Sequence, residues 1–388
     1  MLTIFALWIV LCLLSFGLPV LRHVSMKNAA RKPWRLEMHE NYFPNVSILL
    51  PTYNESKVIG FKLKNLNMQE YPSELMEILI VDSNSDDETI DVVDDFIEKN
   101  PSMGNRIKVL SENDKKGKSA ALNLALQHSQ NDIVIVSDAD CFWPPDILAK
   151  SLPFLSDGSV GAISGPKILL NPQQSWVTRA EDLYLNIMNR TKLGESKTIS
   201  TPFFEGGFSA FKRGALTKFD PYSTGSDDCG TVLDLLKRKY RAILVPEARF
   251  YTTFPMTWRG RMSIKIRRAN QLVRVFSRYL RLMLKRQIKT ARGIILQNCL
   301  VFFLCPVIFA LLLPLTFYLL IGFPLFALLF LGFLIPKVRV YLFEAVQNYT
   351  IIFLSLFSTI FKTKSLAWKQ PEDRLLLTRE MLQQHNLI

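Results

Sequence analysis

Two long stretches of this 388-residue chain carry no charged side chain, and they restrict its fold more than any other feature. Residues 1–21, MLTIFALWIVLCLLSFGLPVL, stay uncharged until Arg22, and residues 294–335 stay uncharged for about two membrane spans. A cleavable leader is the other reading of the first run. No basic region precedes it and no small-residue cleavage site follows it, so a retained transmembrane anchor is expected. Arg22, Lys27, Arg31, Lys32 and Arg35 come directly after it. The positive-inside rule then puts everything from Arg22 onward on the cytoplasmic side of the plasma membrane. The 294–335 run has Pro314 near its middle, with Lys337 and Arg339 just beyond, and reads as a transmembrane helical hairpin. A third stretch, 340–361, has Glu344, Gln347 and Asn348 in its first turns and Lys362, Lys364 and Lys369 after it. It either lies in the interface or spans with its polar face inside a bundle, and the interface is the preferred reading.

Between the apolar runs the pattern changes. Val46–Leu50, Glu77–Val81, Ile107–Leu110 and Ile133–Val136 are short apolar strands. Helices of about a dozen residues alternate with them, ending near residue 68, over Asp87–Lys99 and over Ser119–Gln127. That alternation predicts an α/β fold, a mostly parallel sheet with helices on both faces. In such sheets ligands bind beyond the carboxyl ends of the strands. Thr52–Glu55, Asp82–Asp87 and Asp138–Asp140 all leave strands at that edge. The expected organisation is an anchor at 1–21, a cytoplasmic domain at 40–255, basic amphipathic helices at 256–292, the hairpin at 294–335, and a third apolar helix with a tail at 338–388. The five cysteines are scattered, without a CxxC zinc spacing, and four separated histidines argue against a His-ligated metal.

PTYNE (51–55), VDSNSDDET (81–89), KKGKSAALN (115–123), SDAD (137–140), FFEGGFSAFKR (203–213) and SDD (226–228) occur in an order that resembles the inverting family 2 glycosyltransferases. The flanking spans are similar to the membrane-integrated branch, which holds cellulose, chitin and hyaluronan synthases and enzymes extending lipid-linked glycans. The resemblance implies a GT-A-type nucleotide-sugar-binding domain and a reaction moving a sugar from a nucleotide sugar, UDP-linked by preference, to a hydroxyl of a lipid-linked saccharide or growing glycan.

It also implies roles for particular residues. Asp138 would lie near the nucleotide and Asp140 would hold Mg²⁺ or Mn²⁺, a cation that needs hard oxygen ligands and offsets charge on a departing diphosphate. Pro51, Thr52, Tyr53 and Glu55 would line the donor pocket, with Asp82 reaching the base. Lys118 starts a helix, where a cation is electrostatically misplaced unless an anion lies nearby. Asp228 would be the general base that takes the proton of the attacking hydroxyl. Asp227, Glu205, Gly206 and Gly207 would face the acceptor, with Phe203 and Phe204 as stacking surfaces. Departures from the family pattern are Ser83 for its second aspartate, Glu88 for a glycine and Asp227 for a glutamate.

Residues 249–292 hold thirteen Lys and Arg and no acid, which accounts for essentially all of the +13 net charge. Ile266, Val273, Phe276, Leu280, Met283 and Leu284 recur there at helical spacing, so a helix on anionic membrane lipids is expected and nucleic acid is not. Within it, Ile264–Arg268 is the best match to the family's Q-R-x-R-W. Arg267 would hold the diphosphate, and Arg268 replaces the tryptophan that helps gate the acceptor in processive polymerases. Trp368 and the Glu372-Asp373-Arg374 run receive no role. A processive polysaccharide synthase and a polyprenol-phosphate glycosyltransferase are rival readings within the class, although the second needs no general base. An inert membrane scaffold is the rival outside it.

Overall fold

A computed structural model describes residues 2–360 and 376–388. Trp368, Glu372, Asp373, Arg374 and the lysines at 362, 364 and 369 lie outside the described residues. The chain opens with a continuous helix, α1 (Leu2–Ala30). The α/β domain then runs β1 (Val46–Thr52), α2 (Ser56–Asn67), β2 (Met76–Asp82), α3 (Thr89–Lys99), β3 (Ile107–Ser111), α4 (Lys118–His128) and β4 (Ile133–Val136). It continues through β5 (Val160–Ser164), β6 (Lys167–Leu169), α5 (Trp176–Thr198), β7 (Ser209–Lys212), α6 (Cys229–Lys237), β8 (Arg241–Leu244) and β9 (Phe250–Thr252).

Among the described residues a seven-stranded sheet has the order β3-β2-β1-β4-β7-β5-β8. All pairs are parallel except those of β7, which runs antiparallel to both β4 and β5. Successive residues of one strand feed two cores. Leu49, Leu79, Val134 and Val136 pack with α4 and α6 on one face. Ile48, Leu50, Ile78, Ile80 and Ile135 pack with α2 and α3 on the other. Both faces are dry, which is why these strands read as unbroken apolar runs.

The helical part outside the α/β domain differs from expectation in three ways. First, the predicted 294–335 hairpin is absent. Helix α8 (Arg292–Gly322) passes Pro314 without reversing, and the break falls at Gly322-Phe323-Pro324. A proline inside the helix costs one backbone bond and is tolerated at Pro314, whereas Phe323, which follows Gly322 and precedes Pro324, has extended backbone (φ −141°, ψ 82°) and ends the helix. Second, α9 (Pro336–Ile360) turns its polar residues into the protein. Glu344 and Gln347 both accept from Arg261, and the buried Tyr349 hydroxyl donates to the Ser15 carbonyl at 2.6 Å. Over 344–349 the polar side chains thus face neighbouring helices, where the interfacial expectation would have left them outward.

Third, the basic helix α7 (Trp258–Leu284) is not a free amphipathic strip. Val273 and Phe276 of its apolar stripe are in the core, where Phe276 stacks on Phe302 of α8 at 4.9 Å. Ile266 and Leu284 are exposed. The stripe has the period of a surface helix, but two elements close over it.

Arg261 of α7 is completely buried between Glu181 of α5 (3.1 Å) and Glu344 of α9 (2.6 Å), while Lys265 reaches Glu344 at 2.8 Å. Breaking such a pair leaves an uncompensated charge in a dry site. Arg261→Met is expected to destabilise the protein by about 3–5 kcal/mol. Thermal unfolding in detergent measures it, and adding Glu181→Gln should recover part of the loss because it removes the stranded carboxylate.

Candidate active site

β1, β2 and β4 are parallel and in register, with Thr52 opposite Asp82 and Leu49 opposite Val136. Their carboxyl ends therefore open on one edge of the sheet. The antiparallel β7 starts at that edge, because Ser209 pairs with Val136. The Glu205-Gly206-Gly207 loop that precedes β7 is thus carried to the turn that follows β4. A cavity of about 1480 Å³ lies over this edge. Pro51, Thr52, Tyr53, Glu55, Lys118, Asp138, Asp140, Glu205, Gly206, Gly207, Asp227, Asp228 and Arg267 all line it.

Asp82 does not. Its carboxylate accepts from the Ser85 backbone N–H at 2.9 Å, from the Ser85 hydroxyl at 2.6 Å and from the Thr52 hydroxyl at 3.3 Å. It closes its own turn, and the neighbouring Ser83 takes the place on the cavity wall.

Gly117 precedes α4 with φ +95°, a conformation that suits glycine, and it sets Lys118 as the first helical residue. The Lys118 ammonium sits 2.6 Å from Asp138 and 3.0 Å from Asp227. The anions that offset its unfavourable place at a helix start are thus side chains of the protein. Burial opposes its charge, but Asp138 and Asp227 overcome that and hold its pKa above the ordinary lysine value.

Asp138 and Asp140 lie in a turn beyond β4 rather than on extended chain. Their oxygens still come within 4.8 Å of each other and of the Cys141 sulfur. Burial, then Asp138, pushes the Cys141 thiol up to about 12, so it stays protonated. Two hard carboxylates with a neutral thiol beside them fit a magnesium or manganese ion that keeps water or phosphate oxygens in its other positions.

Asp228 caps α6, and its Oδ1 accepts from the Cys229 backbone N–H at 2.6 Å and from the Ser226 hydroxyl. Burial and the adjacent Asp227 charge raise its pKa to about 6. Arg267 faces Asp138, Asp227 and Asp228. Burial and the Arg268 guanidinium lower its pKa to about 10, which leaves it charged at neutral pH.

Glu205 meets Lys192 at 2.6 Å and Arg268 at 3.8 Å. Burial would raise its pKa, but Lys192, Arg268 and Lys167 prevail and bring it to about 2. Lys192 and Lys167 carry no motif in the sequence, and Arg268 stands there only in place of the family's tryptophan. A signal for Lys192 existed in α5, where Glu181, Leu185, Lys192 and Glu195 share one buried face at helical spacing. Charges at core positions mark partners across the fold.

Residues 47–219 match the family described as Glycosyl transferase family 2. Over 359 residues the chain is 28% identical to the probable glycosyltransferase YdaM of Bacillus subtilis, covering 86% of this chain and 82% of that relative. It is 32% identical over 139 residues to a beta-monoglucosyldiacylglycerol synthase of Synechocystis, which is 36% of this chain and 29% of that one. The solved mannosyltransferase PcManGT from Pyrobaculum calidifontis, in complex with GDP-Man and Mn²⁺, superposes with a TM-score of 0.79 at 29% identity. That match covers 93% of this chain and 100% of the other. The chain is a glycosyltransferase, and residues 47–219 carry its likeness to family 2. Its α/β domain has the GT-A fold.

In this glycosyltransferase Gly206 is the tightest point of the polar cluster. A Cβ there would stand 2.5 Å from Lys118 Nζ and 2.9 Å from Asp138 Oδ2, both ends of movable side chains. Gly206→Ala should leave the fold intact within about 1 kcal/mol, since a surface-lined cavity can adjust. It should separate Lys118 from Asp138 and weaken nucleoside diphosphate binding about tenfold, a change readable by titration calorimetry on the folded protein.

Proposed function

We propose that this glycosyltransferase is an integral membrane protein that moves a sugar from a nucleoside diphosphate sugar to a hydroxyl of a lipid-linked saccharide, with inversion. The observation that carries this reading is the continuity of the cavity. One end holds the carboxylates and Arg267, and the same space reaches Phe16, Val20, Phe302, Leu342 and Ile352 of the apolar helices. A water-soluble acceptor has no use for such a wall, whereas a lipid-borne one does. α1 and α8 are long and apolar enough to cross a membrane.

Asp138 and Asp140 would hold a divalent cation, which offsets charge on the departing diphosphate. Arg267 adds a guanidinium suited to phosphate oxygens. The acceptor hydroxyl gives its proton to Asp228 as its oxygen bonds to the anomeric carbon. The bond from that carbon to the phosphate oxygen breaks with its electrons, and the centre inverts. Both hydrogen bonds to Asp228 fall on Oδ1, which leaves Oδ2 to take the proton. Glu205 and Asp227 would meet the acceptor sugar. Tyr53, under the Lys115 ammonium at 3.2 Å, would pack beside the base.

Transfer to lipid extracts by the detergent-purified protein tests the reading. UDP-sugars, towards which the motif resemblance points, and GDP-mannose, the ligand of the solved relative, are the donors to screen. Asp228→Asn is expected to lower kcat by about 10²–10⁴-fold with little change in donor KM, and chelation of the cation should abolish transfer. Unchanged kcat in Asp228→Asn would refute the base assignment.

The base must be deprotonated, so kcat should fall as pH drops through about 6. Asp227→Asn removes the neighbouring negative charge, so the acid limb should move to lower pH. A limb that stays fixed would separate Asp228 from the rate.

A further inference from the structure

The turn that carries Asp138 and Asp140 is fixed from behind by contacts unrelated to the cavity. Immediately after Asp140, three successive residues have their backbone groups taken up by distant partners. The Cys141 carbonyl accepts from the completely buried Lys62 ammonium at 2.7 Å. Phe142 exchanges both backbone bonds with Tyr251, each at 2.8 Å. Trp143 gives its N–H to Asn65 Oδ1 at 2.9 Å, and its carbonyl accepts from Asn65 Nδ2 at 2.8 Å.

The second donor of the Asn65 amide goes to the Leu387 carbonyl at 2.7 Å. That carbonyl belongs to the segment 376–388, which includes a short helix, α10 (Arg379–Gln384). Leu382 and Leu387 are fully buried against Phe142 and Leu170, with Phe61 and Tyr251 packed beside them. Nothing in the sequence marks this docking, because its anchors are two leucines in a short polar stretch.

We propose that the segment 376–388 is a clasp that sets the Asp138–Asp140 turn, and that Asn65 is the positioning residue through which it acts. The inference rests on the reading of that turn as the metal and diphosphate site. A buried amide has two donors and one acceptor group to satisfy. With Leu387 in place all are used and the amide has one orientation. Without it, one of the three hydrogen bonds that fix the amide is lost and water reaches the two that hold Trp143, so that contact loosens. Phe142 loses its cover at the same time. The two aspartates lie within five residues of Trp143, so their relative placement follows. Partners that orient metal ligands are worth about 10–100-fold in metal affinity.

The test compares the full chain with a variant lacking residues 376–388, both in detergent, by three measurements. Amide exchange at residues 138–143 in metal-free protein is expected to quicken at least tenfold on deletion, with the strands of the sheet unchanged. Mn²⁺ affinity, read by the electron paramagnetic resonance of the free ion, is expected to fall about 10–100-fold. Addition of a peptide with the sequence of 376–388 should restore both. Should the deletion lower the melting temperature of the whole domain, Leu382→Ala/Leu387→Ala in the full chain decides by the same readouts. Unchanged exchange at 138–143, or quickening spread evenly over the sheet, would overturn the clasp. An intact protein that binds neither Mn²⁺ nor a nucleoside diphosphate would instead refute the metal reading, and the exchange result would still judge the clasp.

Discussion

One ammonium, that of Lys118, stands between Asp138 and Asp227, at 2.6 and 3.0 Å, and the arrangement of the site depends on it. Asp138, Asp140, Asp227 and Asp228 all line one cavity. Two unit charges 4 Å apart repel by about 4 kcal/mol at an effective dielectric near 20. Four carboxylates without a cation among them would either spread apart or take up protons. Lys118 holds the turn after β4 and the loop before α6 at a fixed separation, and Arg267 adds a second positive charge to the same group. The anomeric carbon of a bound donor would have to sit between those two loops, so the clamp defines the gap in which chemistry can occur. The elevated pKa of Asp228 belongs to the same balance. It lies next to Asp227, whose charge Lys118 only partly offsets, and it is recessed from water.

A second set of buried charges joins the α/β domain to the apolar helices. α5 is the shared beam. Glu181 takes Arg261, Lys192 takes Glu205, and the fully buried Glu195 takes Arg22 of α1, with Asn298 of α8 donating to it at 2.9 Å. Each pair is costly to desolvate and worth little as net stability. What such pairs supply is position, since a buried charge tolerates few geometries. α1, α7, α8 and α9 are thereby set against the same helix whose Lys192 reaches the cavity. The apolar wall and the polar site hold one alignment because both are referred to α5.

β1, β2 and β4 were legible in the sequence because they are buried on both faces and so read as unbroken apolar runs, while β3 at the sheet edge is largely exposed. β4 occupies Ile133–Val136, as the run itself indicates. The motifs at the strand ends were legible for the same topological reason, since parallel strands deliver their loops to one edge. What was not legible depends on contacts between remote segments. The antiparallel β7 looks like any other short strand, yet its direction brings Glu205–Gly207 to the site. Asp82 has the sequence context of a base contact, but Ser85, three residues on, satisfies its carboxylate. The α7 stripe has a surface period, and only packing against remote segments, Phe203 and Phe302 among them, makes Phe276 interior. Leu382 and Leu387 carry no periodic signal at all.

Arg268 shows how one substitution in a recognisable motif alters the argument about the acceptor. An aromatic ring at this place would offer a neutral face on which successive sugars could stack and slide. Here a guanidinium lies 3.8 Å from Glu205, and Glu205 is pinned again by Lys192. With its pKa brought to about 2, Glu205 is ionised across the neutral range, so the pair does not open by protonation. If Glu205 meets the acceptor as proposed, movement of a growing chain past it would require breaking the Lys192–Glu205 hydrogen bond at every step, worth about 1.5–3 kcal/mol, along with the longer Arg268 ion pair. A single acceptor that binds, reacts and leaves meets the ion pair once. Under the proposed function, in which Glu205 meets the acceptor, this ion pair suits one addition better than repeated translocation of a polymer.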